Sequence, residues 1–169
     1  MNKSILASVF ALVMGMSFQA SAADLTSSFQ SSASVPSSCV LRNINNIDFN
    51  DYDAVFRHAT VARQSSTIIN VVCNGGTTAN LQLDEGLNKM PGSTCAVPVR
   101  ALVNGSGKKL LYTLGSSGGK EYGCDPTSSV SLTFTQFAVK GTSIRATIPP
   151  GQDAPLGSYS DTITVKVTF

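Results

Sequence analysis

The 169-residue sequence contains no tryptophan and one histidine, and only 13% of its residues are charged. Its adjacent basic pairs are Lys108-Lys109 and Arg57-His58, and both are expected to be solvated loop charges. Because binding to a phosphate backbone needs clustered Lys and Arg, this distribution argues against a nucleic-acid partner. No run of about 18 apolar residues follows the N-terminal region, so the exported chain is expected to have no membrane span.

Patterns that support catalysis, cofactor binding or metal binding are also missing. No G-x-S-x-G elbow surrounds a serine, no C-x-x-C pair is present, and a lone histidine such as His58 is expected at the surface. Asp48 and Asn50 fit the first and third positions of a calcium loop. However, Tyr52 stands at the fifth position and Asp53 stands where glycine is required, so a solvated acidic turn is predicted instead. The sequence therefore predicts no enzyme, no cofactor and no metal site.

The N-terminal region has the features of a secretory signal peptide. Lys3 precedes an apolar stretch at residues 5–18, and Ala20-Ser21-Ala22 supplies a cleavage site. We therefore expect residues 1–22 to be removed, which leaves 147 residues and one domain. Without Lys3 the mature chain has 11 basic and 10 acidic residues, a net charge of +1.

All four cysteines lie in the expected mature chain: Cys39, Cys73, Cys95 and Cys124. An even number of cysteines in an exported chain predicts two disulfides, with three possible connectivities. We favour Cys39–Cys73 and Cys95–Cys124. Each bridge would close a loop of about 30 residues and contribute roughly 3–4 kcal/mol in the chain-entropy account of disulfide stabilisation.

Short segments with alternating polarity predict an all-β fold. In the clearest, Thr162–Phe169, one face carries Ile163, Val165, Val167 and Phe169. Further candidate strands are 67–73, 79–84, 98–103, 109–114, 130–137 and 143–148. Asn104-Gly105 suits a hairpin because both residues tolerate positive φ, and Lys140-Gly141 is another turn signal. Many short strands at this spacing predict an antiparallel sandwich.

The segment at residues 23–38 is rich in serine and contains no basic residue. A flexible linker is one interpretation of this composition. The segment also alternates, however: its apolar or small face carries Leu25, Ser27, Phe29, Ser31, Ala33 and Val35, and the residues between them are polar. Pro36 ends the pattern before Cys39. These residues are typical of a strand with no partner of its own, which predicts a strand-donating role.

The C-terminal part resembles the end of the spore coat protein U domain, a family shared with the pilins of archaic, Csu-type chaperone–usher systems. The resemblance is strongest at residues 148–165, which read I-P-P-G-Q-D-A-P-L-G-S-Y-S-D-T-I-T-V. Its most specific stretch is the G-x-Y-x-D-T run at residues 157–162, followed by the alternating strand. Further matches are at 35–39, at 48–52, in the strand leading to Cys73, and at 111–114. The family often has glycine where Asn50 stands, and Cys95 and Cys124 lie outside its motif.

The resemblance implies that residues 39–169 form an incomplete immunoglobulin-like sandwich that lacks its final strand. A hydrophobic groove would then lie beside the last strand, edged by Ile163, Val165, Val167 and Phe169. A periplasmic chaperone would fill this groove first, and the N-terminal strand of another subunit would replace it at an outer-membrane usher. The implied function is a structural subunit of a cell-surface fibre, or pilus, that supports adhesion and biofilm formation.

Two alternatives remain open within the class of binding and structural proteins. One is a secreted coat-type protein that uses the same domain without an usher. The other is a carbohydrate-binding adhesin module, which the absence of tryptophan and the expected single domain disfavour. A small secreted hydrolase is disfavoured by the missing catalytic residues.

Overall fold

The computed structural model describes residues 25–169, so the predicted signal peptide at 1–22 lies outside the described residues. The chain divides into two units, residues 1–34 and residues 35–169. In the first unit, residues 25–34 form neither helix nor strand, and all of the described strands belong to the second unit. Residues 25–169 contain no helix with the length and apolar character needed to cross a membrane.

The second unit contains eight strands arranged in two antiparallel sheets. They are β1 (Cys39–Arg42), β2 (Arg63–Cys73), β3 (Thr77–Leu83), β4 (Arg100–Val103), β5 (Lys109–Gly115), β6 (Val130–Phe134), β7 (Ala138–Ile148) and β8 (Val165–Thr168). The strand order is β1-β2-β7-β5-β4 in the larger sheet and β6-β3-β8 in the smaller one. The predicted all-β antiparallel sandwich is confirmed.

The pairing of β2 with β7 is the longest in the sandwich and runs from Arg63 opposite Ile148 to Cys73 opposite Ala138. β2 begins four residues before the predicted strand. The extra residues are polar and carry little hydrophobic signal, but their pairing with β7 keeps them extended.

Two predictions around β7 are wrong. The candidate strand at 130–137 is too long, because β6 ends at Phe134 and residues 135–137 connect it to β7, which starts at Ala138 in the other sheet. Lys140-Gly141 is not a turn but lies inside β7. A Cβ atom on Gly141 would lie 2.9 Å from Asn70 Oδ1 and 3.1 Å from Ile68 Cγ2. Glycine is present there because a neighbouring strand approaches closely.

The predicted hairpin between β4 and β5 is present, but its turn differs from the expected one. The residue with positive φ is Gly107, at 74°, and neither Asn104 nor Gly105 has this conformation. Asn104 Oδ1 instead accepts hydrogen bonds from the backbone amides of Ser106 (3.0 Å) and Lys108 (2.9 Å). This side-chain cap favours a wider loop than the two-residue turn.

One hydrophobic core lies between the sheets. It consists of Phe49, Ile69, Val71, Cys73, Ala79, Leu81, Leu83, Leu110, Tyr112, Leu114, Tyr122, Phe134, Ile144, Ala146 and Ile148. The disulfides are Cys39–Cys73 and Cys95–Cys124, the pairing that the sequence analysis favours. Cys39 belongs to β1, a strand that the sequence analysis did not include, and lies directly opposite Cys73.

Candidate functional site: an open cleft between the sheets

The sandwich has a cleft of about 1040 Å³ that reaches into the core. Its floor consists of core side chains from both sheets: Ile69, Leu83, Leu110, Tyr112, Leu114, Ile144 and Ile148. One rim is formed by residues 44–55, which follow β1, and the other by residues 154–165, which lead into β8. The cleft is at the upper end of the roughly 300–1,000 Å³ range of small-molecule pockets, and a mainly apolar floor suits an apolar occupant.

Strand β8 is an edge strand beside this cleft. It pairs with β3 from Leu83 opposite Val165 to Asn80 opposite Thr168, and no strand among residues 25–169 pairs with its other edge. Val165 and Val167 are half-buried, whereas Lys166 is exposed. A free edge next to an apolar cleft can accept a further strand, because its backbone groups and pockets for side chains are both available.

The residues that the sequence analysis places at the groove edge occupy different positions along this rim. Ile163 and Val165 line the cleft, and Val167 packs against the core. Phe169 lies beyond the end of β8 with 58% of its surface exposed. Residue 163 precedes β8 because the pairing is irregular there: Thr164 N–H donates to the side-chain Oδ1 of Asp84 (3.0 Å).

A buried arginine that the sequence analysis missed supports the same rim. Arg100 on β4 is fully buried, and its guanidinium donates to the carbonyl oxygens of Asp84 and Tyr122 and to Glu121 Oε1. Burial lowers the pKa of Arg100, and burial also raises the pKa of Glu121 against the opposing effect of Arg100. The arginine holds the backbone of Asp84, which in turn pairs with Thr164. Its only sequence signal is a charge within an apolar predicted strand.

Asp161 connects the rim to the floor of the cleft. Its Oδ2 accepts a hydrogen bond from Tyr112 Oη (2.8 Å), and its Oδ1 accepts one from the backbone amide of Asn88 (3.0 Å). Burial and the bond to Asp161 raise the pKa of Tyr112, which therefore stays a neutral donor. A Cβ atom on Gly86 would collide with the Asp161 carboxylate. Asp161 of the G-x-Y-x-D-T run thus has a structural role.

The opposite rim, at residues 44–55, runs alongside β2 without forming a strand. Side chains of β2 donate to its backbone carbonyl oxygens: Thr67 Oγ1 to Asn45 (3.3 Å), Ser65 Oγ to Asp48 (2.7 Å), and Arg63 Nε to Phe49. These side-chain bonds take the place of a regular ladder of backbone hydrogen bonds. The backbone amides of the rim are therefore not paired with β2. The Phe49 ring packs edge-on against Tyr112, with 6.1 Å between centroids.

Asn50 on this rim has a left-handed backbone with φ of 50°. Its amide donates to Asp48 Oδ1 (2.7 Å), which closes a tight turn. Only glycine, and less readily asparagine or aspartate, takes this conformation at low cost. The conformation accounts for an asparagine at a position where the resembled family often has glycine.

The expectation that His58 lies at the surface is wrong. The side chain is 3% exposed, stacks on Tyr52 with ring centroids 5.0 Å apart, and accepts a hydrogen bond at Nδ1 from the backbone amide of Asp53 (2.9 Å). The Asp53 carboxylate caps the turn at residues 53–58 by accepting a hydrogen bond from the Phe56 amide. This bond is the main cause of the lowered pKa of Asp53. The predicted acidic turn is thus present, and residues 25–169 contain no group of three or more metal-ligating side chains.

Gln152, in the stretch that resembles the family, lies between the end of β7 and the rim at residues 154–165. Its side-chain amide pairs with the backbone of Leu111 in both directions, at 2.7 Å to the N–H and 2.9 Å to the carbonyl oxygen. The side chain thereby bonds to the backbone of Leu111 as a neighbouring strand would, at a position where β5 no longer pairs with β7. Tyr52 Oη donates to the carbonyl of Pro149 (3.0 Å), which ties the rim at residues 44–55 to the chain just after β7. No local pattern in the sequence indicates either contact.

The predicted donor residues lie in the N-terminal segment. Leu25, Phe29 and Val35 are 98%, 93% and 82% exposed, and residues 25–35 form no strand. Ser27, Ser31 and Ala33 are exposed as well. The two faces of the segment therefore do not differ in burial, and the donor role stays a prediction.

Comparisons with known proteins identify a family and, separately, a similar fold. The model of the Spore Coat Protein U domain matches residues 25–166. Protein U of Myxococcus xanthus is 28% identical over 175 residues, which cover 99% of this chain and 98% of that protein. Among solved structures, a similar chain belongs to the CsuC–CsuE chaperone–tip adhesion subunit pre-assembly complex, from archaic chaperone–usher Csu pili of Acinetobacter baumannii. The TM-score is 0.56 at 19% identity, over 80% of this chain and 40% of that chain, so this likeness concerns the fold.

Proposed function

Because the chain belongs to the Spore Coat Protein U domain family, we propose that it is a structural subunit of a secreted surface fibre and not an enzyme. The fibre in this proposal is a pilus, assembled by donor-strand exchange through a periplasmic chaperone and an outer-membrane usher, that supports adhesion and biofilm formation. The observation that carries the proposal is the open cleft with its apolar floor beside the free edge of β8.

An apolar cleft beside an unpaired strand edge promotes aggregation unless another chain covers it. A donated strand would pair its backbone with β8 and place alternate side chains in the cleft. We propose that the chaperone supplies this strand in the periplasm and that a second copy of the chain, or a related subunit, supplies it in the fibre. Because donor and cleft then belong to different copies, the contact is head-to-tail and extends into an open filament.

The N-terminal segment has suitable dimensions for the donor. At about 3.3 Å per residue, residues 24–35 would span roughly 40 Å as a strand, enough to run the length of a sandwich. Leu25, Phe29 and Val35 would each contribute about 1.5–3 kcal/mol if fully buried in the cleft. The small Ser27, Ser31 and Ala33 suit shallow parts of it.

The experiment compares Phe29→Asp with Gln30→Asp in cells that express the chaperone and usher. Phe29 is on the inward face of the proposed donor strand, so its replacement places an unpaired charge in an apolar site, at a cost of several kcal/mol. Fibre assembly should be lost. Gln30 is on the outward face, so Gln30→Asp should assemble fibres normally.

Both variants should fold and bind the chaperone equally well, because neither residue lies in its own copy's cleft. Fibres counted by electron microscopy and chaperone co-purification provide the two readouts. Equal assembly by both variants would show that residues 24–35 are a linker and not a donor strand.

A secreted coat-type protein is a second candidate, favoured by the family's name and by the end-to-end match to Protein U. The two candidates differ in their need for assembly factors. A fibre subunit with an uncovered cleft should be degraded in cells that lack the chaperone, whereas a self-sufficient coat protein should still accumulate outside the cell. Immunoblotting of periplasmic and extracellular fractions distinguishes them.

A further inference from the structure

Asn74, in the turn between β2 and β3, holds the chain just before β1. Its side-chain Nδ2 donates to the carbonyl of Pro36 (2.9 Å), and its Oδ1 accepts from the backbone amide of Ser38 (3.0 Å). Its own backbone amide donates to the carbonyl of Ser38 (3.2 Å). One residue thus satisfies three backbone groups of residues 36–38, and neither the fold nor the proposed donor strand by itself requires these bonds.

Asn74 is itself rigidly placed. Its Oδ1 accepts a further hydrogen bond from the hydroxyl of the buried Thr77 (2.8 Å). The following Gly75 packs so closely that a Cβ atom on it would lie 2.9 Å from Gln136 Cα. The Cys39–Cys73 disulfide joins the two residues that directly follow Ser38 and precede Asn74. The turn therefore cannot shift without disturbing both sheets and a covalent bond.

Residues 36–38 thus belong to the rigid sandwich, and Val35 is both the first residue of that unit and the last of the alternating pattern. We infer that Asn74 is a positioning residue that fixes the direction in which the chain leaves the sandwich towards the donor strand. Its partner is a second copy of this chain, since the donor strand enters that copy's cleft. This inference rests on the proposed function.

The consequence concerns the joint between successive subunits. With Pro36 and Ser38 held by Asn74, the anchored backbone begins directly after Val35, the last residue of the proposed donor strand. Without the Asn74 bonds, three residues between Val35 and Cys39 would gain freedom, limited only by the fixed φ of Pro36. With its bonds in place, Asn74 therefore sets the angle between neighbouring subunits and the stiffness of the fibre.

The test compares Asn74→Ala with Thr77→Val. Asn74→Ala removes both side-chain bonds to residues 36–38, whereas Thr77→Val removes only the internal bond to Asn74 and preserves the shape of a buried side chain. In the purified subunit–chaperone complex, amide hydrogen exchange at Ser38 should accelerate roughly three- to tenfold in Asn74→Ala, as expected for the loss of one ordinary hydrogen bond. It should change little in Thr77→Val. In fibres, Asn74→Ala should shorten the persistence length measured by electron microscopy without preventing assembly.

If Asn74→Ala fails to accumulate, Asn74→Asp replaces it. Its carboxylate keeps the acceptor for Ser38 and loses the donor to Pro36, so a shorter persistence length is the readout for that variant. Unchanged exchange at Ser38 in Asn74→Ala, or unchanged persistence length in the variant that assembles, would overturn the inference. Absence of fibres from the wild-type protein would instead overturn the proposed function, and the exchange measurement would still show whether Asn74 holds residues 36–38.

Discussion

Two segments of this chain have the same alternating pattern, residues 25–35 and residues 163–169, and their structures differ. In the C-terminal segment, Val165 and Val167 are half-buried, and residues 165–168 pair with β3. In the N-terminal segment every residue from 25 to 35 is exposed and none belongs to a strand. Alternation therefore defines which side chains share a face, whereas a strand also needs a neighbouring edge and an apolar surface to cover.

Deleting Lys166–Phe169 is expected to have the largest effect on this comparison, because it removes most of β8. The deletion abolishes nearly all of the pairing with β3 and uncovers core side chains beside Val167. The cost should approach the roughly 5–15 kcal/mol that stabilises a domain. We expect no periplasmic accumulation and no chaperone co-purification, both measured by immunoblot. Wild-type levels of the truncated chain would contradict the view that β8 borders the groove and is needed for chaperone capture.

Equivalent charges introduced into the two segments should change the free energy of unfolding by very different amounts. Val165→Asp places a carboxylate at the cleft and against the core, which should destabilise the subunit by several kcal/mol. Phe29→Asp should leave the same quantity unchanged, because Phe29 is 93% exposed. Denaturant unfolding of chaperone-released subunits gives both values.

The control for Val165→Asp is Lys166→Asp, at the next, outward-facing position of β8, which should change stability by no more than about 0.5 kcal/mol. Equal destabilisation by the two β8 variants would show that the two faces of β8 are not distinguished by burial.

The smallest effects should come from shortening single side chains at the C-terminal end of the chain to alanine. Val167→Ala removes apolar contacts with the core and should cost about 1 kcal/mol, since the side chain is only half-buried. Phe169→Ala should cost less than about 0.5 kcal/mol despite the larger side chain, because Phe169 lies beyond the strand and is mostly exposed. Thermal unfolding of the two variants tests the order. A larger loss for Phe169→Ala would place that residue in the packed face of the strand.

Much of the strand arrangement could be predicted from the sequence, because most strands have one buried face. The predicted ranges for β3 and β5 agree with the structure to within two residues. β1 could not be predicted, since four residues with two partly buried side chains carry almost no periodic signal. Gly141 was predicted as a turn because a glycine that accommodates a neighbouring strand has the same sequence signature as a glycine in a turn.

The rims of the cleft could be predicted only in part. The resemblance implied a groove edge from Ile163 onwards, but not that Asp161 bonds to Tyr112, 49 residues earlier in the chain. Within the other rim, residues 48–53 were predicted as an acidic turn and not as one side of a cleft. Its contacts are side-chain bonds from β2 to backbone carbonyls, which follow no periodicity.

The sequence by itself determined the period-two faces, the even set of cysteines and the absence of clustered charge, since these depend on residue type and local spacing. Tertiary structure alone decided which groups meet: the fully buried Arg100 against the backbone of Asp84, the Gln152 amide against β5, and His58 under the Asp53 turn. The physical reason is that a buried polar group must find a partner wherever the fold supplies one. That partner is set by the packing of two sheets and not by neighbours in the chain.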